Sequence, residues 1–451
     1  MKKVLAILLV LSFCVILFSA CGKSADVKND SSSATSGTGQ AVASTAPEKT
    51  PKEEAEPVTL NFMAPGVPKN DGEDFWTVTM PKLVNEKFSN ISVNSEMLPD
   101  EEYITTLKAR MAAGEGPDIY MFWASKGLKE LIDAGYAKDI TGSPILKDFN
   151  EGVVKAFTFD GKVYAVPQGV IMLGTYYNKD LFKKAGIETL PQDWPSFLDA
   201  CKKLKSAGIT PIVMGDRDWW YIQFGLYQIA ANVIPDFIDY DNQMLAGGKH
   251  FTDPEWTKAF EMYYSLYKEG YVMKGTLGIG GAQVAQLFID GKAAMVFDGT
   301  WALDGLVKEG AAKFERGFFA LPANEPGKPT VYSYSASAGF VTNPESKNPD
   351  AVNRVMEYWM TKGSPLFKSW REKTADIPAI KGETFNKEIL NDAVTNFQNS
   401  PSAPFCNNNW PEGVAEFMCK KFQELIAGKV TPADVAKTTE AKLREVQAQK
   451  K

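Results

Sequence analysis

Histidine is almost absent from this chain: of its 451 residues only His250 carries an imidazole. That scarcity excludes His-rich metal sites and zinc proteases of the H-E-x-x-H kind, and it leaves no Ser-His or Cys-His nucleophile pair unless His250 serves in it. Phosphate-binding signatures are missing too. No G-x-x-x-x-G-K-[ST] loop occurs, and Gly278-Ile279-Gly280-Gly281 lacks the third glycine of a dinucleotide fingerprint, so it reads as a mobile loop. Basic charge is in deficit, with 49 Lys and Arg against 55 Asp and Glu and a formal charge of −6. With no basic stripe to offset phosphate repulsion, a nucleic-acid partner is excluded. No cofactor and no metal are expected.

What is present begins with an N-terminal address. Lys2 and Lys3 precede an apolar run from Val4 to Phe18, too short to cross a bilayer comfortably, as in a secretory signal over residues 1–20. It ends in Leu17-Phe18-Ser19-Ala20-Cys21-Gly22, which resembles a bacterial lipobox, with Cys21 as the lipidated residue. The plainer alternative is an ordinary signal cleaved after Ala20. Without Lys2 and Lys3, 47 basic residues face 55 acidic ones, a charge of −8. Residues 21–57 are rich in Ser, Thr, Ala, Gly, Lys, Glu and Pro and have no aromatic side chain, so they read as a disordered tether. Of the five cysteines, Cys14 falls in the signal and Cys21 at the lipobox. Cys201 shares a helical face with Phe197 and Leu204 and reads as core. Cys406 and Cys419 are either a disulfide or two buried thiols.

From Val58 onward, hydrophobic period 2 alternates with period 3.6. Strands are expected at 58–64, 118–122, 163–166, 173–177 and 211–214, and helices from Pro81, over 101–113, 194–207 and 254–269. Thr431-Pro432-Ala433-Asp434 has the spacing of a helix start and should open a last helix. The class is α/β. Tyr176-Tyr177 read as packing residues of a strand. The acidic stretch Asp236-x-x-Asp239-x-Asp241-Asn242 lacks the glycine and glutamate of a calcium loop and reads as a surface loop, and His250 reads as a surface residue.

Aromatic residues sit repeatedly beside amides and carboxylates: Asp74-Phe75-Trp76, Phe122-Trp123, Asp216 to Tyr221 including Asp218, Trp219 and Trp220, Asp298-Gly299-Thr300-Trp301, and Asn407-Asn408-Asn409-Trp410. A flat ring suits the C–H face of a sugar, while Asp, Asn and Arg answer its hydroxyls. Any single segment is equally explained by tryptophan packing under a loop.

The order of several motifs carries a family resemblance. They are Ala112-Ala113-Gly114-Glu115-Gly116-Pro117-Asp118-Ile119, Asp160-Gly161-Lys162-Val163-Tyr164-Ala165-Val166-Pro167, Tyr177 to Ile187, Leu204 to Ile212, and Gly291-Lys292-Ala293-Ala294-Met295 running on to Trp301. With these the chain resembles the extracellular solute-binding lipoproteins of carbohydrate ABC importers, the group similar to maltose-binding protein. The resemblance implies a two-lobed periplasmic-binding-protein-like fold of type II, with crossing hinge strands and a C-terminal helical region. Lobe one would hold 58–169 plus 319–343, and lobe two 170–318 plus 344–451. It implies Trp123 as a cleft aromatic from lobe one, Trp301 and Trp410 as its counterparts, and Asp218, Trp219 and Trp220 as contacts from a neighbouring loop. Asp74, Trp76 and Tyr334 lie where such proteins vary widely, Gln168 is a polar contact at the hinge, and Asp298 and Asn409 accompany their tryptophans. Asp118 is expected to order its strand rather than bind. The implied partners are a carbohydrate ligand, permease subunits with a cytoplasmic ATPase, and a membrane reached through the N-terminal lipid, with the chain a monomer outside the cytoplasm. Two other functions fit part of this pattern: the same fold taking a polyamine, or a secreted carbohydrate-active enzyme.

Overall fold

The structure, a computed structural model, describes residues 56–68, 74–307, 313–385 and 387–449. The signal, Cys21 and nearly all of the expected tether lie outside them. Two sheets organise the rest. In the first, Val58–Pro65 lies parallel to Ile91–Leu98 on one side and to Ile119–Phe122 on the other. Gly339–Thr342 then joins antiparallel to Ile119–Phe122 and hands on to Val166–Pro167. In the second, the ten-residue strand Gly169–Asn178 is central, flanked by Tyr332–Ala336 and Met295–Gly299, with Ser402–Pro404 and Ile212–Val213 outermost. Arg316–Phe319 and Ile377–Pro378 also pair with the central strand.

Local chemistry explains most boundaries. Asp118 accepts from the Asn61 backbone N–H at 2.8 Å and from the Ser346 hydroxyl, so it ties the start of its strand to two neighbours as expected. Asp160 and Gly161 both have positive φ, 49° and 78°, which is what the tight turn between Thr158–Phe159 and Lys162–Val163 requires. Thr431 and Asp434 cap each other's backbone at the head of the helix Pro432–Gln449. The expected strand at 163–166 is instead two short pieces, and Ile91–Leu98 was not anticipated at all. Gly278–Gly281 is no loose loop: it leads through a short turn into the helix Gly281–Ile289. The acidic stretch at 236–242 is helical, Phe237–Ala246, and its Asp241 is buried.

Three hydrophobic clusters back the sheets. The largest contains Tyr176, Phe197, Trp256 and Phe422 and underlies the second sheet. Two smaller ones cover the faces of the first, one built on Leu60, Phe62 and Phe340, the other on Tyr103, Leu107 and Tyr120. Trp359 and Trp370, from the helices Pro349–Met360 and Pro365–Lys373, belong to the Phe62 cluster, with Trp359 4.5 Å from Phe340. The expected assignment of 344–451 wholly to lobe two is therefore corrected: residues 349–373 bury their apolar stripe against the first sheet. The strand 332–336, expected in lobe one, pairs in the second sheet. Cys201, Cys406 and Cys419 are all buried and unbonded.

Among the described residues the chain passes between the sheets at Gln168, at Ser337-Ala338 and at Asp376 just before Ile377–Pro378; it then returns to the first lobe at Ala379-Ile380 and goes back to the second at the helix Glu388–Asn399. These crossings are laced together. Gln168 N–H donates to the Ala338 carbonyl at 3.2 Å and Ser337 N–H to the Gly169 carbonyl at 2.9 Å. Gly169 is required here, because a Cβ on it would lie 2.6 Å from the Asp376 Cβ and 2.7 Å from the Ile377 carbonyl oxygen.

Candidate functional site

A cleft of about 2600 Å³ opens between the two sheets, lined from the first by Asp74, Trp76 and Met97, from the second by Tyr177, Trp301 and Tyr332, and at the crossings by Gln168 and Asp376. Such a volume exceeds the roughly 300–1,000 Å³ typical of a small-molecule pocket. Two tryptophans shape its walls. Trp76 lies within the helical turn Phe75–Thr79, which Asp74 opens by accepting from the Thr77 backbone N–H at 2.9 Å. Its ring stacks on Phe62 at 5.9 Å with the planes 7° apart, so one face is seated on the core. Trp301 follows the strand Met295–Gly299 and remains 39% exposed, unusual for so large an apolar ring. Its orientation is fixed from behind. The ring lies over Gly299, where a Cβ would come within 2.0 Å of it, and Phe224 meets it edge-on at 5.2 Å.

Asp298 is the anchor beneath. Its carboxylate accepts from the Tyr221 hydroxyl at 2.7 Å and the Gly299 backbone N–H at 2.8 Å, and the Trp301 indole donates to it as well. It is a positioning residue rather than a surface contact. Burial pushes the Asp298 carboxyl up to about 7, and it pushes buried Asp216 and Asp241 up to about 6. In the unfolded chain these groups titrate near 3.9. Between those values the folded state binds more protons than the unfolded one, so stability must fall as pH rises through roughly 4 to 7. Thermal unfolding should accordingly give a higher Tm at pH 5 than at pH 8; a Tm that climbs steadily over that range would contradict this assignment.

The other expected contacts are placed elsewhere. Trp410 is corrected from cleft wall to core: it is 2% exposed, its indole N–H donates to Asp241 at 2.6 Å, and Phe251 and Trp256 pack on it at 5.0 and 5.6 Å. Asn409 leans on the same Asp241 at 3.5 Å. Asp218 is committed to the Gly281 backbone N–H at 2.7 Å, which holds its loop to the head of a helix. Trp220 packs on Tyr221 and Phe224, and Tyr334 on Phe397. Trp123 is half-buried edge-on to Tyr103 and Phe122. Trp219 reaches across: its indole donates at 2.6 Å to Glu101, on the helix Asp100–Ala112 that covers the first sheet. Lys108 of that helix makes a second bridge, to Glu412 at 3.3 Å. His250 is part-buried and bonds Glu440 at 2.9 Å. Among the described residues no group of three or more His, Cys, Asp or Glu side chains is arranged to hold a metal.

Sequence reasoning missed Asp376, which is 5% exposed at the cleft floor, and Arg371 behind it. Gln168 Nε2 donates to Asp376 Oδ2, Ser337 donates to the same carboxylate, and Arg371 Nη2 donates to the Asp376 carbonyl at 2.8 Å. Two sheets joined by several chain crossings beside one shared cleft are the layout of a protein that closes on a ligand.

The family model for bacterial extracellular solute-binding proteins matches residues 76–364, well over half of the chain. The chain belongs to that family. Solutes are bound by its members outside the cytoplasm. The multiple sugar-binding protein of Streptococcus mutans is 24% identical over 307 residues, covering 64% of this chain and 71% of that protein. The maltodextrin-binding protein MdxE of Bacillus subtilis is 26% identical over 359 residues, covering 74% and 81%. Among solved structures, a chitin oligosaccharide binding protein superposes with a TM-score of 0.75 at 23% identity, over 87% of this chain and 99% of that one. A raffinose complex of the solute-binding protein RafE gives 0.72 at 20% identity, over 85% and 98%. These likenesses fix the fold of this solute-binding protein as the two-lobed type expected from its sequence motifs.

Proposed function

We propose that this solute-binding protein serves an ABC importer, capturing a sugar or oligosaccharide between its two lobes and delivering it to a membrane permease driven by a cytoplasmic ATPase. The observation that carries the reading is the large cleft walled by Trp76 and Trp301, with Trp301 oriented by Asp298 and left 39% exposed. A ring held rigidly with an open face meets the apolar face of a pyranose at little conformational cost, and hydroxyls then find Asp74, Gln168 and Asp376 around it. Relatives named for sugar and maltodextrin binding support the same class.

Binding acts by closure. A saccharide that touches both lobes binds the closed state more tightly than the open one, and so shifts the population toward the form a permease would recognise. No bond of the ligand is broken in this scheme. The N-terminal segment through Leu17 to Gly22 supports lipid anchoring at Cys21, with residues 21–57 as tether and the folded body acting as a monomer.

Equilibrium dialysis against raffinose, stachyose, maltotriose, xylotriose and chitotriose, with spermidine as control, tests the function. Retention of at least one saccharide, recovered intact after dissociation, is expected. Retention of spermidine alone, or conversion of a saccharide to shorter products, would overturn it.

A further inference from the structure

The two lobes also touch where no chain passes between them, and the contact is built from ionisable groups. Lys108 and Glu130 stand on the helices Asp100–Ala112 and Lys126–Asp133, whose apolar faces join the Tyr103 cluster of the first lobe. Glu412 is opposite, just before the helix Val414–Ile426 that packs into the core of the second lobe. Lys108 Nζ lies 3.4 Å from Glu130 and 3.3 Å from Glu412, so one ammonium bridges a carboxyl from each lobe. Those two carboxyls are also hydrogen-bonded to each other. Ionised carboxylates have no donor, so this bond exists only while the pair holds a proton. A second cross-lobe bond ends on the same helix as Lys108, from the Trp219 indole to Glu101 at 2.6 Å. None of these five residues lines the cleft or lies on a chain crossing.

We propose that Lys108, Glu130 and Glu412 form a proton-operated latch between the lobes, which keeps the ligand-free protein more closed in acid than at neutral pH. Such a latch acts whichever solute is bound, and so stands apart from the saccharide reading above. With the proton in place, the carboxyl pair supplies a hydrogen bond and Lys108 neutralises its remaining charge. Once the proton leaves, two negative charges face each other across the lobes and one lysine must serve both. Closure therefore takes up a proton, and by linkage a rise in pH shifts the population toward the open form. The Glu412 carboxyl agrees in direction. Its hydrogen bond with Glu130, its burial and the Glu130 charge hold it above the usual carboxylate range, against the opposing pull of Lys108.

The neighbouring charges are for the most part committed elsewhere. Glu416 is paired with Lys420 one turn along its helix, and Lys420 also faces Glu101. Lys129, one residue before Glu130, is held by Asp133 and by Asp160 at 3.2 Å. Asp100, at the head of the Lys108 helix, is pushed up to about 6 by burial and then by the Glu101 charge. Asp376, at a crossing, is also raised by burial. Both titrate in the same direction as the latch, and variants of Lys108 and Glu412 separate it from them.

Small-angle X-ray scattering of the ligand-free full chain at pH 5 and pH 8, in low salt, tests this on the wild type, Glu412→Gln and Lys108→Met. The two side chains are 49% and 36% exposed, so both substitutions leave the core untouched. Residues 1–57 are common to every sample, so differences between variants at one pH report the lobes. The wild type should have the larger radius of gyration at pH 8. In Glu412→Gln the amide donates to Glu130 without a titrating proton, so the radius should stay near the acid value of the wild type at both pH values. In Lys108→Met the two carboxylates meet without a bridging cation. Its rise in radius between pH 5 and pH 8 should exceed that of the wild type, with the ratio of open to closed forms about two- to fivefold higher at pH 8. A purely structural role would not move the two variants in opposite directions. A wild type with the same radius at both pH values would overturn the inference. So would a Glu412→Gln protein that keeps the full wild-type change, which would assign the effect to Asp100 or Asp376 instead. Either result leaves the saccharide reading intact, because no ligand is present in the measurement.

Discussion

Trp410→Ala is expected to destabilise the protein by about 3–5 kcal/mol, among the largest effects of any single substitution here. Two losses add. The ring is 2% exposed and is packed by Phe251, Trp256 and Tyr227 at 5.0, 5.6 and 6.4 Å, so its removal leaves a cavity that rigid aromatic neighbours cannot refill. The indole N–H is also the close donor to Asp241, 2.6 Å away, and without it a buried carboxylate loses its main partner. Trp410→Phe should restore most of the packing but not the donor, and so fall between wild type and alanine. Chemical denaturation would measure the order. Saccharide affinity of the folded fraction should stay at the wild-type value for both variants. Loss of binding with unchanged stability would instead return Trp410 to the cleft.

Trp301→Ala should do the reverse. Its ring has one face on Gly299 and Phe224 and the other open to the cleft, so a pyranose covering roughly 80 Å² of it would gain about 2 kcal/mol at 25 cal/mol/Å². Alanine should therefore weaken saccharide binding roughly thirtyfold, by raising the dissociation rate, while the ligand-free Tm drops only slightly. Trp301→Phe keeps a flat face, though without the indole N–H that Asp298 holds, and should retain part of the affinity. Trp76→Ala is expected to weaken binding as well, with a larger loss of stability, because that ring also stacks on Phe62. Calorimetry with the tightest neutral saccharide would separate the two tryptophans; equal affinity in wild type and Trp301→Ala would place the ligand elsewhere.

The contrast between these two tryptophans shows where sequence stops being legible. Both stand beside polar residues in segments that read as loops, and composition treats them alike. They are separated by Asp241, which lies 169 residues before Trp410 in the chain and meets its indole inside the core. A partner that distant leaves no local trace. Asp376 escaped notice for a related reason: in Thr374-Ala375-Asp376-Ile377 nothing marks it, and its role arises when a crossing 208 residues earlier brings Gln168 to its side. Local signals did better. The Thr431–Asp434 spacing and the period of the helix over residues 194–206 are contained within a few residues each, and the structure follows both. The edge strand Ile91–Leu98 was hidden by its polar content, since Ser92, Asn94 and Ser95 fit a loop as well as an edge strand with one face in water. Pairing with Val58–Pro65 along its whole length decides the matter, and that is tertiary information.

The division between the lobes failed in the same instructive way. Residues 349–373 follow the last strand of the first sheet and carry Trp359 and Trp370, whose apolar bulk needs a nearby sheet to cover; the first sheet is the one at hand. Only then does the chain reach the second sheet, through Asp376 to the strand Ile377–Pro378. At these crossings Gly169 admits the segment Asp376-Ile377 against the first passage of the chain, so the two lobes are joined where the strands lie closest.

The most direct measurement is the crystal structure of the protein with the saccharide that dialysis selects. The bound ring is predicted to lie in the cleft against the open face of Trp301, with Trp76 on the opposite wall and a hydroxyl within hydrogen-bond distance of Gln168 or Asp376. A saccharide bound against Trp410 or on the outer surface of either lobe, with the Trp76–Trp301 cleft holding only water, would contradict the assignment of this cleft as the binding site.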